Sequence, residues 1–202
     1  MHWRVAYRRL AKLRQLGLVG HRHVLHGAPG VFFATRAGLR MTGVDLTAAT
    51  VDLRTYRHSL ALVSLAIDLE ADAEALWTER EIRRADGSAQ SRGELQYAVA
   101  LADRSGASPR PHLHIPDLVL RHPDGELEAV ELELTAKRTR RLRGILRAFV
   151  RSRHLQRGVT YYTPTPTVGR LVERVARELD ATHLVRVVGW SPPASDGIGE
   201  VG

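Results

Sequence analysis

The sequence predicts an α/β protein with a small basic module in front of it. One observation is a hairpin pattern at residues 112–137, where two short runs rich in Val, Leu and Ile flank the turn residues His122 to Gly125. The other is the order of periodic segments after residue 50, which is helix, strand, hairpin, helix, strand, helix, strand. We therefore expect one domain at residues 50–190, followed by a disordered tail at residues 191–202.

Charge is concentrated in two segments of this 202-residue chain. Residues 1–40 contain eight Lys or Arg and no acid, and residues 138–157 contain eight Arg and no acid. These sixty residues carry +16, so the rest of the chain carries −8 within the net charge of +8. Two basic segments attached to an acidic body favour a nucleic acid as the partner.

The chain contains no cysteine, which excludes disulfides and zinc sites built on thiolates. No apolar run approaches the ~18 residues that a membrane helix needs, and the first residues lack the apolar core of a signal peptide. We therefore expect a cytoplasmic protein that does not bind a membrane.

Residues 1–45 are predicted to form the basic module. Residues 5–16 place apolar side chains at helical spacing between basic ones, and Gly17 ends the helix. Two strands are expected at residues 18–25 and 31–35, joined by a Gly/Pro loop. This arrangement resembles the recognition helix and wing of a winged helix-turn-helix domain, in which the helix lies in the major groove and the wing reaches phosphates.

The module lacks part of that pattern. A helix-turn-helix has two helices ahead of its recognition helix, whereas this chain begins almost inside that helix. The module is therefore either truncated or completed by a partner chain. Its predicted DNA contacts are Arg4, Arg8, Arg9, Lys12, Arg14 and Arg22.

Three predictions concern the chain between the module and the hairpin. A long buried helix is expected at residues 50–70, and a strand at residues 75–84 that carries Glu79 and Glu81 on one face. Residues 85–111 are interpreted as an insertion loop. The predicted inward residues of the helix are Leu53, Tyr56, Leu60, Val63 and Ile67.

The hairpin turn decides which side chains of its two strands lie opposite each other. Pro123 suits the first central position of a type I turn, and Gly125 suits the left-handed position after it. A three-residue loop of this kind pairs Asp117 with Glu131. A two-residue loop would instead pair Asp117 with Leu132, because a shift of one residue moves every side chain to the other face.

The second strand of the hairpin separates acids from aliphatic side chains. Alternation places Val130 and Leu132 on one face, and Glu131, Glu133 and Lys137 on the other. Carboxylates that face each other across two strands repel, and a divalent cation between them relieves the repulsion. Hard oxygen ligands suit Mg²⁺ or Mn²⁺.

These residues resemble the PD-(D/E)xK nuclease motif, in which an Asp, a second acid and a Lys hold one or two metal ions beside a scissile phosphate. Asp117 follows a proline, Glu131 and Glu133 lie on the next strand, and Lys137 comes after them. A strict match has the lysine two residues after the acid, where this chain has Glu133 or Thr135. Some nucleases of this fold carry Glu at that position, and in others the lysine has migrated, which Lys137 would represent.

The resemblance implies a restriction-endonuclease-like core and a role for each residue. Asp117 and Glu131 would hold Mg²⁺ or Mn²⁺, Glu133 would hold a second ion or orient water, and Lys137 would stabilise charge on the phosphate oxygens. An acid on the first strand of this fold can also bind the metal, which makes Glu81 a further candidate ligand.

Four histidines lie near these segments. His58 on the predicted buried helix could approach the site, but a histidine on a mostly apolar helix is more often packed in the core, and the other three suggest a metal site by their position. His112, His114 and His122 lie near the hairpin, but their spacing matches no closed zinc set.

Residues 138–157 are predicted to form a helix with an apolar stripe and arginines around the rest of its circumference. Eight like charges repel one another, and phosphates would relieve that repulsion. A strand, a helix and a last strand are expected at residues 158–163, 167–179 and 183–190. The stripe is Leu142, Ile145, Leu146, Phe149 and Val150, and the predicted DNA contacts are Arg138, Arg141, Arg147 and Arg151.

A winged helix followed by this core resembles the replication-relaxation family of bacterial plasmids and conjugative elements, over about residues 5–190. The resemblance implies binding to the DNA of a mobile element, an effect on its replication or relaxation, and a relaxase or replication initiator as a partner. A metal-dependent nuclease or nickase is the first hypothesis. A catalytically silent DNA-binding regulator is the alternative, and a homodimer remains open.

Overall fold

The computed structural model describes residues 3–24, 30–43, 46–48, 50–89, 94–102 and 112–192. Two compact units divide the chain between residues 57 and 58. Most of the predicted loop at residues 26–30 and nearly all of the predicted tail lie outside the described residues. Within the described ranges, no helix has both the length and the apolar character needed to cross a membrane.

The N-terminal unit contains the predicted helix and hairpin, followed by a second helix that was not predicted. Gly17 ends the first helix in the left-handed conformation, with φ +70°. Thr35 begins the second helix, because its hydroxyl accepts a hydrogen bond from Gly38 N at 3.1 Å. None of the described residues in these elements is buried. The elements are α1 (Trp3–Gln15), β1 (Val19–Arg22), β2 (Val31–Ala34) and α2 (Arg36–Met41).

The second unit is a mixed α/β domain, which confirms the predicted fold class at that level. The strand, helix and strand expected after residue 157 are all present. In chain order the elements are α3 (Tyr56–Glu70), β3 (Ala75–Thr78), α4 (Glu79–Ala89), β4 (Val99–Ala100), β5 (Leu113–His114), β6 (Leu118–Arg121), β7 (Leu127–Leu132), α5 (Thr139–Arg151), β8 (Val159–Thr163), α6 (Pro166–Glu178) and β9 (Val185–Gly189).

Five strands form the central sheet in the order β3-β6-β7-β8-β9. β6 runs antiparallel to both β3 and β7, whereas β7, β8 and β9 run parallel to one another. The parallel connections are made by α5 and α6, as expected for crossovers between parallel strands. A separate pair, β4 and β5, lies in the insertion before β6.

The hairpin between β6 and β7 has the predicted register. Leu118 pairs with Val130, which places Asp117 opposite Glu131 one residue further along. At the turn, Gly125 has φ +86°, and its N–H donates to His122 O at 2.8 Å. The three-residue loop therefore sets the register, as the proline and glycine predicted.

The two faces of the sheet are covered by different helices. Residues of α5 and α6 pack against Val119, Ala129 and Tyr161 on one face, while α3 packs against Val130 and Leu132 on the other. The predicted alternation along β7 is confirmed. Because α5 covers the face that carries Glu131, this acid lies inside the domain and not on an open surface.

The prediction for residues 50–70 was wrong about where the helix begins and which of its faces is buried. α3 begins at Tyr56, and Ala61 and Leu65 face the sheet. The helix has apolar residues around most of its circumference, so periodicity alone did not identify the inward face. The predicted inward residues Leu53, Leu60, Val63 and Ile67 are exposed, at 62%, 40%, 57% and 64%.

The strand predicted at residues 75–84 ends early. β3 stops at Thr78, and α4 begins at Glu79. Thr78 and Glu81 have the Thr-x-x-Glu spacing of a capping box, and Glu81 Oε2 accepts hydrogen bonds from Thr78 N at 2.8 Å and Thr78 Oγ1 at 2.7 Å. Glu81 therefore lies at the start of a helix, contrary to its predicted place on a strand.

The insertion is more ordered than the predicted loop. Residues 85–89 belong to α4, and β4 pairs with β5. Asp86 is buried and accepts hydrogen bonds from the backbone N–H groups of Gln96, Tyr97 and Ala98 at 2.7, 3.2 and 2.6 Å. One carboxylate thus holds the chain that enters β4. Residues 90–93 and 103–111 are outside the described part of the chain.

Candidate functional site

Three acids and a lysine come together where β7 ends. Glu131 and Glu133 are only 2% and 6% exposed, which is unusual for carboxylates. The ammonium of Lys137 contacts Glu133, and its Nζ lies 3.7 Å from Glu131 Oε2. Asp117 lies opposite Glu131 in the hairpin register. We call Asp117, Glu131, Glu133 and Lys137 the acid cluster.

Asp117 joins the acid cluster to the backbone of β7 and to α3. Its Oδ2 accepts a hydrogen bond from Leu132 N at 2.8 Å. The same oxygen lies 3.4 Å from Nε2 of His58, which in turn lies 3.1 Å from Leu132 O. His58 therefore belongs to the site, although its place on an apolar helix favoured a packing role.

His114 is a second histidine of the site, and the sequence did not predict its contact with the acids. Its Nε2 lies 2.6 Å from Glu131 Oε1, and its ring packs edge-on against Phe149 of α5, with ring centroids 5.7 Å apart. The sequence did contain one indication of this contact, because His114 lies three residues before Asp117 and so near the predicted acids. His122, by contrast, lies 2.7 Å from Glu128, at the other end of β7.

The electrostatics of the acid cluster reflect burial and a surplus of negative charge. Burial raises the pKa of Glu133, against the opposing effect of Lys137. For Lys137, burial favours the neutral amine, but the carboxylates of Glu131 and Glu133 outweigh it and raise the pKa. The hydrogen bond to Asp117 raises the pKa of His58. The lysine is therefore held as a cation, while Glu133 protonates more readily than an ordinary glutamate because burial raises its pKa.

Tyr161 of β8 adds a buried hydroxyl beside the acids. It is the cross-strand neighbour of Glu131 and is fully buried. Burial, together with the nearby carboxylates, raises the pKa of this phenol well above its ordinary value. Its hydroxyl has no hydrogen-bond partner among the described residues. An unpaired hydroxyl in this position is available to a water molecule or a ligand.

The acids are chemically suited to Mg²⁺ or Mn²⁺, but their arrangement is that of an ion-pair cluster. Glu131 is engaged by His114 and Lys137, and Glu133 by Lys137. The described residues contain no group of three His, Asp or Glu arranged to hold a metal ion. Glu81 is committed to Thr78. Metal binding therefore stays a prediction.

A groove lined by arginines runs along α5. Its volume is about 810 Å³, and Leu101, Ala102 and Ile145 contribute apolar lining. Arg151 donates a hydrogen bond to Ala100 O at 3.3 Å, and Arg143 pairs with Glu178. The predicted DNA contacts on this helix all line the groove, together with two further arginines. The full set is Arg138, Arg140, Arg141, Arg143, Arg147 and Arg151.

Gly144 leaves the middle of this groove open. A Cβ atom added there would meet no heavy atom within 4 Å. Glycine in a helix interior costs about 1 kcal/mol relative to alanine, so its presence here is not explained by helix stability. Its effect is open space among the arginines that line the groove.

The groove and the acid cluster adjoin each other. Lys137 belongs to the cluster, and the next residue, Arg138, lines the groove. His114, which contacts Glu131, pairs with Val99 in β4, and the carbonyl of the following Ala100 accepts a hydrogen bond from Arg151. The arginines of the groove and the acids of the cluster are therefore held by neighbouring segments of the same unit.

The basic residues of the N-terminal unit are exposed on α1 and β1. The apolar residues Leu13 and Leu16 of α1 are exposed as well. No buried residue holds the described elements of this unit together. The predicted DNA contacts there are Arg4, Arg8, Arg9, Lys12, Arg14 and Arg22.

Comparison with family models, with curated proteins and with solved structures finds no match to this chain. The resemblance to the replication-relaxation family therefore stays a prediction. A functional conclusion has to be argued from the groove and the acid cluster themselves.

Proposed function

We propose that this protein binds DNA along α5. The bound DNA belongs to a mobile element such as a plasmid, and the protein acts in the replication or relaxation of that element. The observation that carries the proposal is the arginine-lined groove. Solvent-exposed charge runs usually mix signs, whereas residues 138–157 contain eight arginines and no acid. A polyanion is the ligand that best relieves their mutual repulsion.

The dimensions of α5 suit a nucleic-acid backbone. The helix has 13 residues, and its length is about 20 Å at 1.5 Å per residue. One strand of a DNA duplex carries a phosphate about every 3.4 Å of its axis. The arginine row therefore spans about six phosphates, enough for a salt-dependent contact that does not depend on sequence.

Gly144 supplies a test that removes no arginine. We expect Gly144→Glu to weaken DNA binding at least about tenfold, because it places a carboxylate in the middle of the groove. Gly144→Gln is the matched control, since it fills the same space without charge and also removes the helix-destabilising glycine. The affinity of each variant for a labelled duplex is measured by fluorescence anisotropy. Equal affinities of the two variants would mean that the DNA does not bind along α5.

A second candidate function is metal-dependent cleavage of that DNA. The observation favouring it is the convergence of Asp117, Glu131, Glu133 and Lys137 beside the groove. The elements after residue 55 include the predicted helix, strand, hairpin, helix, strand, helix and strand in that order, with α4, β4 and β5 inserted before the hairpin. If the site is active, Mg²⁺ held by these acids would supply the Lewis acid that polarises a phosphate oxygen.

Supercoiled plasmid separates a nuclease from a silent regulator. A nuclease nicks the plasmid in Mg²⁺ or Mn²⁺, and Asp117→Ala abolishes nicking while DNA affinity is retained. Glu81→Gln is a control that should nick normally, because Glu81 is engaged by Thr78 at the start of α4. No nicking by the wild-type protein, together with salt-sensitive binding, supports the catalytically silent regulator.

A further inference from the structure

The outer face of α3 is an apolar surface on the opposite side of the sheet from the arginine groove. Leu60, Val63 and Ile67 are exposed along one face of the helix, at the spacing of successive turns. A shallow groove of about 270 Å³ continues from Val63 and Ile67 towards Leu76. Soluble proteins rarely leave such a row of aliphatic side chains uncovered.

The charges around this surface identify the kind of partner. Asp68 and Glu70 occupy the last turn of α3, and Glu74 lies in the adjoining groove. An acidic border of this kind repels DNA and anionic lipid headgroups. The surface therefore fits another protein.

The two ends of α3 carry opposite charges. Arg57 is exposed in its first turn, and Glu70 is exposed in its last turn. When two copies of such a helix pack antiparallel about Val63, the basic end of each meets the acidic end of the other. Antiparallel packing also opposes the two helix dipoles. The surface is thus complementary to itself, which is the requirement for a two-fold dimer.

We propose that a second copy of this chain docks on the outer face of α3, with the two helices antiparallel around Val63. Because α5 covers the other face of the sheet, the dimer leaves both arginine grooves open. The proposal does not depend on the function assigned to those grooves.

Sedimentation velocity on the full chain over a range of concentrations tests the dimer. We expect wild-type protein to dimerise and Val63→Glu to remain monomeric, because a carboxylate would be buried at the centre of the contact. Arg57→Glu and Glu70→Arg should each raise the dissociation constant about tenfold. The double variant should return it towards the wild-type value, because the exchanged charges attract again.

Three outcomes overturn the proposal. They are wild-type protein that stays monomeric at every concentration, a dimer unaffected by Val63→Glu, and a double charge variant that is no tighter than either single variant. Arg177→Glu, at an exposed arginine of α6, is the control for the change in net charge and should leave the dissociation constant unchanged. If Val63→Glu does not fold, the Arg57 and Glu70 variants test the dimer instead. Both positions are exposed, so these charge changes are expected to leave the fold intact.

Discussion

The Nζ of Lys137 lies 3.7 Å from Oε2 of Glu131, although the lysine follows that acid by six residues and lies beyond the end of β7. It also contacts Glu133. Both acids are buried, so they lack the hydration that normally stabilises carboxylates. The lysine supplies the compensating charge that lets them remain in the interior.

Replacing Lys137 with methionine is therefore expected to destabilise the fold. The apolar replacement leaves buried carboxylates without their cation, and breaking a buried pair in this way costs about 3–5 kcal/mol. Urea unfolding of the variant measures the loss of unfolding free energy. The control is Lys12→Met, at an exposed lysine of α1, where a change within about 0.5 kcal/mol is expected. Equal effects at the two lysines would contradict the charge-compensation account.

His58 is expected to make stability depend on pH near neutrality. The hydrogen bond to Asp117 raises the pKa of His58 above its ordinary value of 6.5. The folded protein then binds more protons than the unfolded chain, so the stabilisation is fully present below pH 6.5 and is lost as pH rises through the raised pKa. Denaturant unfolding at a series of pH values should show this loss in wild-type protein but not in His58→Gln. Parallel profiles of unfolding free energy against pH for the two proteins would contradict this role of His58.

Removing the hydroxyl of Tyr161 is expected to stabilise the folded protein. The buried oxygen has no hydrogen-bond partner among the described residues, and an unsatisfied buried polar group costs about 1–3 kcal/mol. Tyr161→Phe should therefore raise the unfolding free energy by about 1 kcal/mol. Tyr162→Phe, at the next residue and only half-buried, is the matched control. A destabilised Tyr161→Phe would mean that the hydroxyl has a partner, such as bound water.

The hairpin and the acid cluster were predictable because they depend on local rules. Pro123 and Gly125 select the turn, the turn selects the register, and the register sets Asp117 opposite Glu131. Strand alternation predicted Lys137 on the face of the acids, but β7 ends at Leu132, and the lysine reaches the acids from the segment between β7 and α5.

Other features depend on tertiary contacts that periodicity does not contain. The inward face of α3 could not be chosen, because Leu60 and Leu65 are equally apolar and only packing against the sheet distinguishes them. The pairing of His114 with Glu131 brings together residues from different strands. Glu81 is different, because its capping spacing with Thr78 was visible in the sequence but was interpreted as strand alternation.

The α5 arginines can be tested by reversing their charge. Arg141, Arg147 and Arg151 line the groove and are exposed. Replacing all three with Glu should weaken binding to every duplex sequence alike, because phosphate contacts carry no sequence information. Each lost phosphate contact lowers the slope of log affinity against log salt by about 0.9.

The most direct measurement of the central claim is that salt slope, compared between two triple variants. The control reverses Arg170, Arg174 and Arg177, three exposed arginines on α6, and changes the net charge by the same amount. Binding along α5 predicts a slope about 2.7 units shallower for the α5 variant, and a nearly unchanged slope for the α6 variant. Equal slopes for the α5 variant and the wild-type protein would contradict the claim that α5 holds the DNA.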